Sequence, residues 1–110
     1  MTWTVHCEEE FVYLAEHDPP ALLALIQSGT LEPTDLTFAL DHVGKVGLVA
    51  APVLLPFLLH EKCYVREGAV YGLARLLDQD PSLLTVLRDV ALMDVSPGVR
   101  LAATEILEMQ

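Results

Sequence analysis

Histidine and cysteine are the side chains in this sequence that could bind a metal ion. The chain contains four histidines and two cysteines, at His6, Cys7, His17, His42, His60 and Cys63. They form no C-x-x-C pair and no H-E-x-x-H motif, and His60 with Cys63 supplies only two ligands. Because protein zinc sites use at least three protein ligands, the sequence predicts no metal site.

Acidic and nucleophilic residues form no catalytic motif either. No serine lies in a G-x-S-x-G turn, and no glycine-rich loop of the phosphate-binding type is present. The acidic run 8–10 brings carboxylates together, but acids in the first turn of a helix stabilise that helix through its dipole. The sequence therefore predicts a non-enzymatic protein without a cofactor.

Charge is distributed unevenly along the chain. Its 110 residues include 16 acids and 6 bases, for a net charge of −10. Residues 1–44 hold eight of the acids and no lysine or arginine, whereas residues 45–110 hold the other eight acids and all six bases. Such a field repels nucleic acid and anionic membranes and attracts basic surfaces. We therefore expect a basic protein partner, and neither nucleic acid nor membrane binding.

Targeting and membrane-spanning segments are also unexpected. The first ten residues contain no base, unlike the start of a secretory signal. The most apolar run, residues 46–59, contains two prolines and is shorter than the ~20 residues that span a bilayer. These features predict a cytoplasmic protein with reduced cysteines.

Prolines and capping residues mark the helix starts. Asp18-Pro19, Asp80-Pro81 and Ser96-Pro97 each place a capping residue before a proline at the first helical position. No run shows the alternation of a half-buried strand. The sequence predicts one all-helical domain over 1–110, with helices near 6–17, 19–28, 33–43, 51–60, 64–77, 81–93 and 97–109.

An internal repeat relates the last two helical hairpins. The pattern Val65-Arg66-x-x-Ala69-x-x-x-Leu73 recurs 34 residues later as Val99-Arg100-x-x-Ala103-x-x-x-Leu107. A weaker match extends the repeat backwards, which gives hairpins over 19–44, 51–78 and 81–110 after an N-terminal helix over 6–17. Since each hairpin has an apolar side that only a neighbour can cover, we expect an α-solenoid. In helix 64–77, the buried side is expected to be Val65, Ala69, Gly72, Leu73 and Leu76.

The segment 94–103, Asp94-Val-Ser-Pro-Gly-Val99-Arg100-Leu-Ala-Ala103, resembles the turn and second helix of a HEAT repeat. Val65, Arg66 and Ala69 give a second match, with His60 where the family has aspartate. The resemblance covers residues 51–110 well and 19–44 weakly. It implies a solenoid of about three HEAT-like hairpins in which Arg66 and Arg100 pair with the aspartate of an adjacent repeat.

The repeat offsets bring one set of outward-facing residues together on the second helices of the hairpins. Phe38 and Tyr71 become neighbours in a row of acidic side chains, and aromatic residues among charges are typical of protein-binding surfaces. The predicted partner-binding residues are Asp35, Phe38, Asp41, His42, Glu67, Tyr71, Arg75, Glu105 and Glu108.

Two functions are compatible with this sequence. The first is that of an acidic bacterial immunity protein or antitoxin-like inhibitor, which would be steered to a basic toxin and occlude its site. The second is that of a scaffold or adaptor subunit, or an excised segment, of a larger HEAT-repeat assembly. In the second case the C-terminal hairpin, which lacks a polar capping repeat, would allow self-association.

Overall fold

Prolines open three of the helices, as the sequence predicts. Pro19, Pro33 and Pro97 each stand at the start of a helix, where the fixed φ of proline is helical and its missing N–H is no loss. The Asp18 carboxylate also accepts a hydrogen bond from the Ala21 amide over 3.4 Å. Local sequence therefore determines where these helices begin.

Helices supply all the regular structure of residues 8–110, the part of the chain that the computed structural model describes. In this part 78% of the residues are helical and none is in a strand, which confirms the all-α class. The α-helices are α1 (Glu8–His17), α2 (Pro19–Gln27), α3 (Pro33–Val43), α4 (Ala51–Leu54), α5 (Cys63–Ala74), α6 (Leu83–Met93) and α7 (Pro97–Glu108). Short 3-10 helices cover Gly44–Val46, Leu48–Ala50 and Leu55–Leu59.

The largest departure from the predicted helices lies in the segment 51–60. In place of one helix, α4 ends at Leu54 and a 3-10 helix continues to Leu59. Pro56 has no N–H with which to bond the carbonyl four residues earlier, so the α-helical hydrogen bonding is interrupted here. No side chain of the 3-10 helix Leu55–Leu59 is fully buried.

Other boundaries shift by a few residues. The helix predicted over 81–93 begins at Leu83, because the Asp80 carboxylate accepts a hydrogen bond from the Ser82 amide over 3.1 Å and holds the preceding residues in a turn. The helix predicted over 64–77 is α-helical only as far as Ala74. The first helix is described from Glu8, so positions 6 and 7 of the predicted helix 6–17 lie outside the described residues.

Helix α5 is the centre of the packing. It contacts α3 and α7, while α1 packs against α3, so these helices lie side by side in the order α1, α3, α5, α7. The apolar stripe expected for α5 is buried throughout, at Val65, Ala69, Gly72, Leu73 and Leu76. Because this stripe is buried against both α3 and α7, α5 lies between these two helices at the centre of the packing.

Glycine allows α3 and α5 to approach until their backbones touch. A Cβ atom at Gly68 would lie 2.6 Å from the Thr37 carbonyl oxygen, and one at Gly72 would overlap the Leu40 carbonyl oxygen. Gly44, which directly follows α3, faces the Gly72 backbone equally closely. The crossing of the two helices is therefore set by backbone contact, and a larger residue at these positions must displace a helix.

Helix length bears on membrane insertion. The longest described helices, α5 and α7, contain 12 residues each, whereas a bilayer-spanning helix needs ~20 apolar residues. Between Glu8 and Gln110, no helix is long and apolar enough to cross a membrane.

Candidate binding face

An arginine–aspartate pair fixes α7 relative to α5. Arg66 Nε donates to Asp94 Oδ2 over 2.9 Å and Arg66 Nη2 donates to Asp94 Oδ1 over 3.1 Å, which makes the contact bidentate. The two side chains are only 10% and 9% exposed. Because paired donors and acceptors fix both distance and orientation, this contact holds the turn before α7 against the first turn of α5.

The surroundings of this pair favour the charged form of Asp94. Burial raises the pKa of the carboxyl group, but hydrogen bonds from Arg66 and from the Ser96 amide, with the positive charges of Arg66 and Arg100, more than offset it and hold the pKa below the ordinary value. Arg66 Nη1 also donates to the His60 carbonyl oxygen over 2.8 Å. His60 thus contributes its backbone carbonyl group to the same network.

Arg100 acts differently from Arg66. Its Nη1 donates to the Asp94 carbonyl oxygen over 2.6 Å rather than to a carboxylate. Val65, Ala69, Val99 and Ala103, the apolar members of the repeat motif, are fully buried. The motif residues thus form the joint between the last two hairpins and leave the outer side of the helices free.

We define the three-helix face as the exposed side of α3, α5 and α7. One depression in this face, of about 390 Å³, lies over the α5–α7 boundary. Its floor includes the apolar side chains of Ala102 and Ile106, and Tyr71 stands half-exposed in its wall. The complete lining is Asp41, Tyr71, Ala74, Arg75, Ala102, Glu105, Ile106 and Met109.

Negative charge surrounds the Tyr71 ring. Partial burial, followed by the charges of Glu67, Glu105 and Asp41, raises the pKa of the Tyr71 phenol. The raised pKa extends into alkaline pH the range in which the phenol is neutral and can donate a hydrogen bond. Three carboxylates from three different helices therefore contribute to the raised pKa of one tyrosine.

Only one of these carboxylates is neutralised within the described residues. Arg75 Nη2 donates to Asp41 Oδ1 over 3.1 Å, and Arg75 Nε donates to the Asp41 carbonyl oxygen over 2.9 Å. Glu67 and Glu105 form no ion pair with any residue in the range 8–110. The depression thus combines an apolar floor, an aromatic wall and the Glu105 carboxylate, which has no cation partner in the range 8–110, whereas Glu67 lies outside the lining.

A second depression in the three-helix face lies between α3 and α5. It measures about 450 Å³ and is lined by Thr34, Thr37, Phe38 and Tyr64. The sequence placed Phe38 beside Tyr71, but these two residues line separate depressions. Tyr64 takes the place beside Phe38, and its spacing of seven residues from Tyr71, which puts both on one side of a helix, was the signal that could have identified it.

The other predicted partner-binding residues lie away from both depressions. Asp35 is half-buried in the first turn of α3, and Glu108 is exposed in the last turn of α7. His42 must be corrected, because it is only 6% exposed and its Nε2 lies 2.8 Å from Glu8 Oε1 on α1. Helix α1 covers this position, so His42 joins α1 to α3 and does not belong to the three-helix face.

Metal binding by the described residues has no structural support. Between Glu8 and Gln110, no three His, Cys, Asp or Glu side chains approach one another as ligands would. Cys63 is an exposed free thiol at the start of α5. His6 and Cys7, which the sequence analysis considered as ligands, lie outside the described residues.

Comparisons of the chain with known protein families, curated proteins and solved structures find no match. The geometry and charge of the three-helix face are therefore the basis on which a function can be inferred.

Proposed function

We propose that this chain is a HEAT-like α-solenoid that binds a basic protein through its three-helix face, without catalysis. In this proposal it is an inhibitor of the immunity or antitoxin type, which covers the working surface of a basic toxin. The side-by-side order of α3, α5 and α7 supports the solenoid, since these are the second helices of successive hairpins. The bidentate contact of Arg66 with Asp94 supports the HEAT-like joint between hairpins.

The depression around Tyr71 is the observation that carries the proposed function. A lysine or arginine side chain of a partner could place its aliphatic stem on the apolar floor, since long cationic side chains bury their stems readily. Its charge would then meet Glu105, which lines the depression and has no cation in the range 8–110. An aromatic face adds further attraction for a cation.

The negative charge of the chain and the contact around Tyr71 have different kinetic roles. The net charge of −10 draws a basic partner towards the protein and raises the association rate. The desolvated contact around Tyr71 governs how long the complex lasts, because differences between related complexes appear mostly in dissociation. Variants with altered charge should therefore change the association rate, and truncation of Tyr71 should change the dissociation rate, so kinetic measurements can distinguish the two effects.

We expect Glu105→Lys to slow association with the basic partner, and this effect to shrink as salt screens the charges. Tyr71→Ala should instead speed dissociation and cost about 2 kcal/mol of binding free energy, as the loss of an interface hot spot does. The immobilised parent chain is first used to capture basic proteins from the native host. Association and dissociation rates of each variant are then measured against the captured protein at two salt concentrations.

The matched control carries the same two changes on α1, as Tyr13→Ala with Glu16→Lys. Both residues are exposed and line neither depression, and the double variant has the same net charge as Tyr71→Ala with Glu105→Lys. The control should bind like the parent except for a small loss from its altered net charge. Equal losses of affinity in the two double variants would show that the three-helix face is not the binding site.

The alternative, a scaffold subunit, is favoured by one other observation. A second exposed apolar surface, centred on Leu59, Met93 and Val95, lies outside the three-helix face. An inhibitor needs one surface, whereas a scaffold uses at least two. A ternary complex of the chain with two different proteins, detected by light scattering, would favour the scaffold.

A further inference from the structure

The three-helix face carries two depressions, one on each side of α5. The depression over the α5–α7 boundary, which contains Tyr71 and Glu105, is called the Tyr71 depression below. The depression between α3 and α5 is called the Phe38 depression, and it is lined by Thr34, Thr37, Phe38 and Tyr64. Phe38, Tyr64 and Tyr71 are exposed to almost the same extent, at 39%, 40% and 43%. A partner can therefore contact an aromatic side chain in each depression.

The Phe38 depression is suited to an apolar side chain. None of the four residues that line it is charged. Thr37 Oγ1 lies 2.9 Å from the Pro33 carbonyl oxygen and 3.3 Å from the Tyr64 carbonyl oxygen, so its hydroxyl proton is already bonded within the protein. A group that enters the depression meets the rings of Phe38 and Tyr64. Since aromatic surroundings favour apolar occupants, a charged side chain would lose hydration here without gaining an opposite charge.

The Tyr71 depression is suited to a cation. Glu105 lines it and forms no ion pair with any residue in the range 8–110. The other two charged residues of the lining, Asp41 and Arg75, neutralise each other, with Arg75 Nη2 at 3.1 Å from Asp41 Oδ1. The Glu105 carboxylate is thus left to attract a positive charge. The two depressions therefore select side chains of different kinds.

The distance between the depressions limits how one partner segment can reach both. Tyr64 and Tyr71 are seven residues apart on α5, which corresponds to ~10.5 Å along the helix axis. Each residue of an extended chain spans at most ~3.6 Å, so about three residues or more must connect the two contacts. The depressions belong to grooves between different helix pairs. A partner helix that follows one groove reaches one depression only, whereas an extended segment can cross α5.

From these observations we propose that the three-helix face recognises an extended segment of its partner through two side chains. An apolar side chain occupies the Phe38 depression, and a lysine or arginine side chain, about three or four residues away, occupies the Tyr71 depression. This proposal rests on the proposed function and specifies which feature of a basic partner is recognised. Net charge attracts any basic surface, but the second contact rejects basic segments that lack an apolar residue at the required distance.

The first test is a selection of random peptides displayed on phage, with the full chain immobilised and the salt concentration kept low. We expect the selected peptides to share a lysine or arginine and an apolar residue, separated by about three or four positions. Peptides without a common motif, or with basic residues alone, would overturn the proposal. A separation of two helical turns would also overturn it, because the bound segment would then be a helix.

The second test measures the affinity of one selected peptide for variants of the full chain by calorimetry. Tyr64→Ala should weaken binding about tenfold, as the loss of an interface hot spot does. Glu105→Gln should also weaken binding, and its effect should fade as salt rises. The matched control is Tyr13→Ala, since Tyr13 is an exposed tyrosine on α1 that lines neither depression. This variant should bind the peptide like the parent.

The same peptide with single serine replacements shows which of its residues enters which depression. When serine replaces the apolar residue, Tyr64→Ala should cause little further loss of affinity, because both changes remove the same contact. When serine replaces the basic residue, Glu105→Gln should cause little further loss. The opposite pairing, or independent losses in both cases, would show that the two side chains are not placed as proposed.

Different patterns of loss distinguish a wrong second contact from a wrong binding face. If Glu105→Gln and Tyr71→Ala weaken binding while Tyr64→Ala and Phe38→Ala bind like the parent, the face is right and the contact in the Phe38 depression is wrong. If all four variants bind like the parent, the proposed function is wrong as well. Circular dichroism verifies that each variant is folded, and Phe38→Ala replaces Tyr64→Ala if the latter is not.

Discussion

Replacing Gly72 with alanine should cost about 3 kcal/mol of unfolding free energy, at the upper end of typical overpacking effects. The added methyl group would overlap the Leu40 carbonyl oxygen and lie 2.7 Å from Leu54 Cδ2. A side chain can change rotamer, but the backbone of a packed helix cannot move without disturbing its other contacts. Urea unfolding monitored by circular dichroism gives the change directly.

The control for this substitution is the same change at a helical glycine outside the crossing. A Cβ atom at Gly98, in the first turn of α7, would meet only the end of the flexible Glu67 side chain at 3.0 Å and the Ser96 hydroxyl. Gly98→Ala should therefore stabilise the protein by about 0.4–1 kcal/mol, since alanine restricts the unfolded chain. If Gly72→Ala were as stable as Gly98→Ala, α3 and α5 could not be in backbone contact.

Replacing Asp94 with alanine should have the other large effect, a loss of about 3–5 kcal/mol of stability. The substitution leaves the Arg66 guanidinium buried, with the His60 carbonyl oxygen at 2.8 Å and the Glu61 carbonyl oxygen at 3.4 Å as its remaining acceptors. Denaturant unfolding at neutral pH measures the loss. A useful comparison is Asp41→Ala, which breaks the ion pair of Asp41 with Arg75. Since this pair is more exposed than that of Arg66 with Asp94, its loss should cost less stability.

The same pair predicts how stability depends on pH. The pKa of Asp94 is lowered in the folded protein, so the unfolded chain binds a proton at this carboxyl group at a higher pH than the folded chain does. The contribution of the ionised Asp94 carboxyl group to stability is complete above the pKa that this group has in the unfolded state. It is lost as pH falls through the folded-state pKa. The stability difference between parent and Asp94→Asn should therefore shrink on acidification. A constant difference down to the acid limit would contradict this assignment.

Local features of the sequence were enough to predict the helices and the buried side of α5. Proline at Pro19, Pro33 and Pro97 determines helix starts through its own covalent geometry, and this effect does not depend on the rest of the fold. The stripe from Val65 to Leu76 follows from helical periodicity in the same local way. Tyr71 was assigned to the exposed side by the same periodicity.

Contacts between distant segments could not be predicted in this way. His42 falls on the outer side of α3 by helical periodicity, and only the packing of α1 against α3 buries it. Asp41 and Arg75 are one repeat offset of 34 positions apart, so the repeat placed them on the same face, but it did not specify that they form an ion pair. Gly68 precedes Gly72 by four residues, a spacing that allows close helix approach, but the sequence does not specify which helix approaches.

The 3-10 helix Leu55–Leu59 has a further consequence for the motions of the native protein. None of its side chains is fully buried, although Phe57 and Leu58 pack against the core. Lifting it from the surface therefore exposes less apolar area than global unfolding does and should require less free energy. Its amide protons should exchange with solvent well before those of α5. Since this segment borders a groove of about 470 Å³ beside α6 on one side and a pocket of about 370 Å³ near Pro56 and Phe57 on the other, such local opening would widen both while the helices beneath stay folded.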